Sequence, residues 1–190
     1  FKIVTLVRDP VARNISHFFQ YPNIILEKID SGYHIRSLRY DYDKILTSES
    51  IDKELSELFL KNMDNHSRPI VWFDEELKIN FGIDVYSKEF PKERGYDIYR
   101  KSNAEVLLIK LEKLNEVFRP AMKEFLDIDD IELINENIGE KKESADMYKQ
   151  FLSSFHLPEK YLGDLYTSKF SNHFYTKEEL SGFKLRWSRD

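Results

Sequence analysis

The chain opens on a near-continuous apolar run, Phe1–Leu6 (FKIVTL), followed by Val7, Arg8, Asp9 and Pro10. A run without apolar–polar alternation predicts an interior strand of a parallel sheet, with neighbours on both sides. Asp9 suits an N-cap and Pro10 a first helical position, where its missing N–H costs nothing. A helix begun there places Val11, Ile15 and Phe18 on a buried stripe and Arg13, Ser16, His17 and Gln20 on the opposite side. Asn23–Tyr42 is mixed and aromatic, and reads as a short helix followed by a loop over the site. Ser50 caps a helix to about Asp64, with Ile51, Leu55, Leu58 and Phe59 inward. Pro69 opens another helix, with Ile70, Phe73 and Leu77 inward and Gly82 closing it. Tyr96–Arg100 and Glu105–Leu111 are predicted strands joined by a turn at Ser102-Asn103. Leu114–Leu126 is helical, with Pro120 a candidate break. Ser144 caps a helix to about Phe155, and Pro158 starts one to about Tyr166. Thr176 with Glu179 forms a capping box for the last helix.

Composition narrows the classes. At 190 residues, with no repeat and no low-complexity linker, residues 1–190 form one domain. No apolar run approaches the length of a membrane span and no signal peptide is visible, so a cytoplasmic protein is expected. A net charge of −5 argues against nucleic acid as a general partner, although a small anionic ligand needs only a local basic cluster. Cysteine is absent, which excludes disulfides, thiolate zinc and thiol catalysis. The five histidines lack ligand spacing, so no metal is expected. The Asn-X-Ser strings at Asn14 and Asn65 would matter only in a secreted protein.

The candidate chemistry lies in Val7–Ser16 (VRDPVARNIS). A basic residue at the carboxyl end of a strand, a Pro turn, and then Arg and Ser in the next helix can grip a phosphate. Ligands of open α/β sheets bind at that end, and a guanidinium offers forked donors. The stretch closely resembles the 3'-phosphate-binding motif of sulfotransferases, which use 3'-phosphoadenosine 5'-phosphosulfate (PAPS) as donor. The resemblance implies a P-loop-like, sulfotransferase-type α/β fold, a parallel sheet flanked by many helices. It also implies a nucleotide site containing Arg8, Arg13 and Ser16. Val106–Leu114 (VLLIKLEKL), with Phe125-Leu126 following, is similar to the family's RYEDL strand and its trailing FLG, although only Glu112 and Leu114 agree. Asn135–Ser144 (NENIGEKKES) resembles the late basic loop that covers the nucleotide, with Lys141 and Lys142 the candidate contacts. Trp72-Phe73-Asp74, Gly82–Tyr86, Phe90–Tyr96, Tyr166–Phe170 and His173-Phe174-Tyr175 resemble a family of bacterial capsular polysaccharide synthesis proteins, which implies a glycan acceptor. Aromatic side chains in such numbers can stack on sugar rings.

Sulfonate transfer needs a base for the acceptor hydroxyl and cations for the moving group. In sulfotransferases the phosphosulfate loop, and usually the base, precede the motif. The resemblance therefore implies a chain trimmed at its N-terminus, lacking a first strand and that loop, and inactive alone. His17, beside Ser16, is a weak catalytic candidate, and His173 a more remote one. Other readings stay open: a non-catalytic nucleotide- or glycan-binding accessory protein of polysaccharide assembly, a small-molecule P-loop kinase, and a glycosyltransferase. An upstream GxxxxGK[ST] with a magnesium-binding Asp would favour the kinase.

Overall fold

A computed structural model of the chain describes residues 1–20, 25–30, 32–37, 42–47, 50–62, 66–134, 149, 152 and 155–188. Strand β1 (Lys2–Val7) leads into helix α1 (Pro10–Gln20), followed by strands β2 (Ile25–Ile29), β3 (Gly32–Ser37) and β4 (Tyr42–Leu46) and helix α2 (Ile51–Asn62). A long helix then begins as α3 (Arg68–Trp72), widens into a π-helical stretch (Phe73–Lys78) and ends as α4 (Ile79–Phe81). Hairpin β5 (Tyr96–Lys101) and β6 (Ala104–Lys110) is followed by α5 (Leu114–Leu126), α6 (Glu159–Tyr166), α7 (Lys169–Phe174) and α8 (Lys177–Trp187). The architecture is mixed α/β and rich in helix.

The sheet departs from the expected parallel one. It has three strands in the order β1-β6-β5; β1 runs parallel to β6, whereas β5 is antiparallel to it. Among the described residues β1 pairs with β6 alone. Its burial alternates: Val7 is buried, whereas Val4 and Leu6 stay 46% and 47% exposed. The central position belongs to β6, whose Val106-Leu107-Leu108-Ile109 run is wholly buried. Leu107 and Ile109 pack on Ala121, Met122 and Phe125 of α5. Val106 and Leu108 meet Phe73, Leu77, Phe170 and Phe174 on the other face.

A second departure lies between α1 and α2. Where a short helix and a loop were expected, β2, β3 and β4 form an antiparallel meander. Ile35 of β3 is fully buried and joins the core made by α1, α2, α6 and α8. Pro120 does not break α5. It lies exposed while Ala121, Met122 and Phe125 anchor the helix, so the carbonyl that loses its partner can meet water. Helix α7 had no counterpart in the sequence reading. The turn at Ser102 (φ 47°) and the left-handed Gly82 (φ 68°) close their elements as expected. The expected Ser144–Phe155 helix lies almost wholly outside the described residues.

Beside α1 a polar chain crosses the core. Buried Asn14 donates through Nδ2 to the Tyr161 hydroxyl (3.1 Å) and to the His66 carbonyl (3.0 Å). Tyr161 meets His66 Nδ1 at 2.5 Å, and His66 Nε2 reaches the Phe59 carbonyl at 3.2 Å. The carbonyl can only accept, so Nε2 carries the proton and neutral Nδ1 accepts from Tyr161. Protonating His66 would leave the Tyr161 hydroxyl proton without its acceptor, and burial pulls the imidazole from 6.5 down to about 4. A depressed folded-state value gives stability that is present above pH 6.5 and lost as pH falls toward 4. The wild type should therefore lose about 1–2 kcal/mol more than His66→Gln between pH 7 and 4.5, a figure discounted for the part of the ring that water screens. Urea unfolding at both pH values checks this, and parallel losses in the two proteins would refute it.

Candidate functional site

The site is built where the parallel strands end. Because Val7 lies opposite Lys110, two residues further along each strand bring Asp9 beside Glu112. The Asp9 amide donates to Glu112 Oε1 (2.7 Å), while Asp9 Oδ1 accepts from the Val11 amide (3.0 Å) and starts α1 as an N-cap. The Asp9 carboxylate also accepts from the Tyr166 hydroxyl and the Trp187 indole N–H, both at 2.9 Å. Glu112 Oε2 accepts from the Tyr175 hydroxyl (3.3 Å). Burial holds the Asp9 carboxyl above its ordinary value, and local desolvation raises that of Glu112 although the residue as a whole stays exposed. These two acids form a structural floor that fixes the turn carrying Arg8.

Above that turn lies a cavity of about 240 Å³. Its walls come from Thr5–Arg8 at the end of β1, Arg13 of α1, Arg68, Pro69, Trp72 and Phe73 of the long helix, and Phe170 of α7. Three guanidiniums thus surround one space beside an indole. Arg8 is half-buried and has no hydrogen bond or ion pair among the described residues. Arg13 Nη1 donates to Asn14 Oδ1 (3.3 Å). Arg68 is held by Glu75 (Nη1 to Oε2, 3.0 Å) and by Glu76. Wider clefts of about 420 and 470 Å³ occur elsewhere; the first is lined by Lys88, Arg100 and Lys101 together with Asp84, and the second by Arg119, which pairs with Glu132. The smaller cavity gathers three arginines in about 240 Å³ at the carboxyl end of a parallel strand.

The cavity therefore unites Arg8 and Arg13. Ser16 and His17 are half-buried on α1 and are not among its lining residues. Lys141 and Lys142 lie outside the described residues. His173 packs against the rings of Tyr86 (4.9 Å) and Phe174 (4.7 Å), away from the cavity lining, and burial lowers its pKa. Arg68 escaped sequence reasoning, and Trp72 was read only among the aromatic segments of the family resemblance; a basic residue and an aromatic four positions apart on a helix hinted at a shared face. Buried Asn14 is enclosed by protein, so its Asn-X-Ser string has no exposed acceptor amide.

The glycosyltransferase reading meets two Asp-X-Asp strings, Asp41-Tyr42-Asp43 and Asp127-Ile128-Asp129. Asp43 is engaged by His34 (2.6 Å), and Asp127 and Asp129 by Lys123 (2.7 and 2.6 Å); Asp41 lies outside the described residues. No group of three or more His, Asp or Glu side chains suited to a metal occurs among the described residues. Nor is any helix among them long and apolar enough to cross a membrane.

Fold and cavity together define a mixed α/β protein with an arginine-lined recess at the end of its parallel strand pair. The chain belongs to the NKWYS family, described as "Putative capsular polysaccharide synthesis protein", whose family model matches residues 38–176. The matched stretch includes Arg68 and Trp72 and begins after Arg8, Arg13 and Ser16. No curated protein and no solved structure matches the chain.

Proposed function

We propose that this protein binds PAPS and serves the transfer of its sulfonate to a carbohydrate hydroxyl during capsular or surface polysaccharide synthesis in the cytoplasm. The observation that carries the reading is the meeting of Arg8 and Arg13 in one cavity at the carboxyl end of β1. That is where the resemblance to sulfotransferases calls for the 3'-phosphate. Arg8 would grip this group with forked donors and Arg13 would neutralise it from α1. Ser16 would add a hydroxyl if the ligand extends along α1, and Lys141 and Lys142 would close over the nucleotide. PAPS would enter as a substrate that brings its own leaving group, so the reading needs no metal.

A second reading, a nucleotide- or glycan-binding accessory protein, draws on the two carboxylates beneath the turn that carries Arg8. Asp9 and Glu112 are occupied by hydrogen bonds that hold the fold together, which leaves neither poised as a base.

Calorimetric titration tests the common core of both readings. Arg8→Ala should weaken adenosine 3',5'-bisphosphate binding by about 1.5–3 kcal/mol, the scale of a charge-assisted hydrogen bond. Adenosine 5'-phosphate, which lacks the 3' group, should be nearly indifferent to the change. Equal losses for both nucleotides would remove the 3'-phosphate assignment. Sulfonate transfer from PAPS to a glycan would then separate enzyme from accessory protein.

A further inference from the structure

Arg68 reaches seven and eight residues along its own helix to Glu75 and Glu76. Positions 68 and 72 share one face of α3 by their i, i+4 spacing. Trp72, one turn after the arginine, lines the cavity beside it. The π-helical stretch starts at Phe73, directly after Trp72, and contains both glutamates. Such widened turns are rare and gather at functional sites. Arg68 itself lines the cavity shared by Arg8 and Arg13, with its side chain 30% exposed. Glu75 and Glu76 are 55% and 40% exposed, so both can return to water when released.

Three guanidiniums around one empty space repel one another, and the two glutamates are the counter-charges that offset part of this repulsion. An incoming anion would supply the same charge from inside the cavity. Resting on the nucleotide reading above, we propose that Arg68 is a third ligand-binding arginine that exchanges Glu75 and Glu76 for the ligand. The ligand class is then a multiply charged phosphate or sulfate ester joined to a planar ring, with the charge on the arginines and the ring against Trp72. Glu75 and Glu76 set the affinity by competing for Arg68. Ligands with one negative charge gain too little to displace them.

Calorimetry of the full chain tests this with adenosine 3',5'-bisphosphate and, separately, inorganic pyrophosphate. Arg68→Gln should weaken both about 10- to 100-fold, the range of one charge-assisted contact. The Glu75→Gln, Glu76→Gln double variant should bind both about three- to tenfold more tightly, the scale of a partly exposed ion pair. Adding Arg68→Gln to it should abolish that gain. Tighter binding cannot arise from a variant that fails to fold, so the double variant guards against that ambiguity. Unchanged or weaker binding by the double variant, with Arg8→Ala still damaging, would overturn the role of Arg68 and leave the nucleotide reading standing. Arg68-dependent pyrophosphate binding with no preference for the nucleotide would keep the anion site and remove the nucleotide. Binding of neither probe would overturn both.

Discussion

Replacing Asp9 by alanine should lower the unfolding free energy by about 3–5 kcal/mol. The substitution removes a helix cap, for which about 0.5–2 kcal/mol is usual. It also strips the acceptor from two buried donors, the Tyr166 hydroxyl and the Trp187 indole, at about 1–3 kcal/mol each when they stay unpaired. The sum is trimmed because neighbouring losses are not additive. Asp9→Asn should cost less, about 1–3 kcal/mol, since its amide oxygen retains the cap while its NH₂ opposes one of the two donors. Burial already holds the Asp9 carboxyl above its ordinary range, so a neutral side chain sacrifices little charge stabilisation. Urea titration followed by tryptophan fluorescence reads both variants. A loss below that of an ordinary surface change for Asp9→Ala would show that the carboxylate is not the tie the geometry describes.

Lys110 should prove nearly as sensitive. Its side chain is fully buried, with Nζ 2.5 Å from Glu179 Oε1, 3.4 Å from the Lys92 carbonyl and 4.9 Å from the centre of the Tyr175 ring. Lys110→Ala removes the ion pair and leaves a void where the stem packed, so a loss of about 3–5 kcal/mol is expected. Lys110→Met keeps the stem and should cost about 1–2 kcal/mol, because Glu179 is 27% exposed and can rehydrate. Glu179 has a second duty: its Oε2 accepts from the Thr176 amide in the capping box of α8. Glu179→Gln can keep that cap, so it should cost less than Lys110→Ala. Equal losses for Lys110→Met and Lys110→Ala would assign the effect to the charge rather than to packing.

Local chemistry explains which parts of this fold could be read from sequence. The Asp9-Pro10 start of α1, the Gly82 stop, the Ser102-Asn103 turn and the Thr176–Glu179 box each depend on residues within a turn of one another. Each formed as read. The stripe Val11, Ile15, Phe18 is buried for the same reason. The β2–β4 meander was less legible because its strands are short, five or six residues each, and mix apolar with charged positions; Ile35 is the residue among them shown to reach the core. The pairing of β1 with β6 joins residues a hundred positions apart, which an apolar run cannot encode. Within the site, Arg8 and Arg13 were legible because they flank one strand–helix turn. Arg68 was not, since it enters the cavity from another helix. Asp9 was legible as a cap, but its bond to Trp187 was not.

That bond also bears on how the chain acquires its structure. Asp9 and Trp187 are 178 positions apart. Ribosomes add about 5–20 residues per second, so roughly 9–36 s pass between the synthesis of the two partners. During that interval the nascent α1 has its cap but not its indole donor, and the apolar face that it shares with α8 is uncovered. Native closure must await residue 187, and contacts of such long range slow the search. The emerging chain is thus a candidate client for chaperones while residues 9–187 are being synthesised.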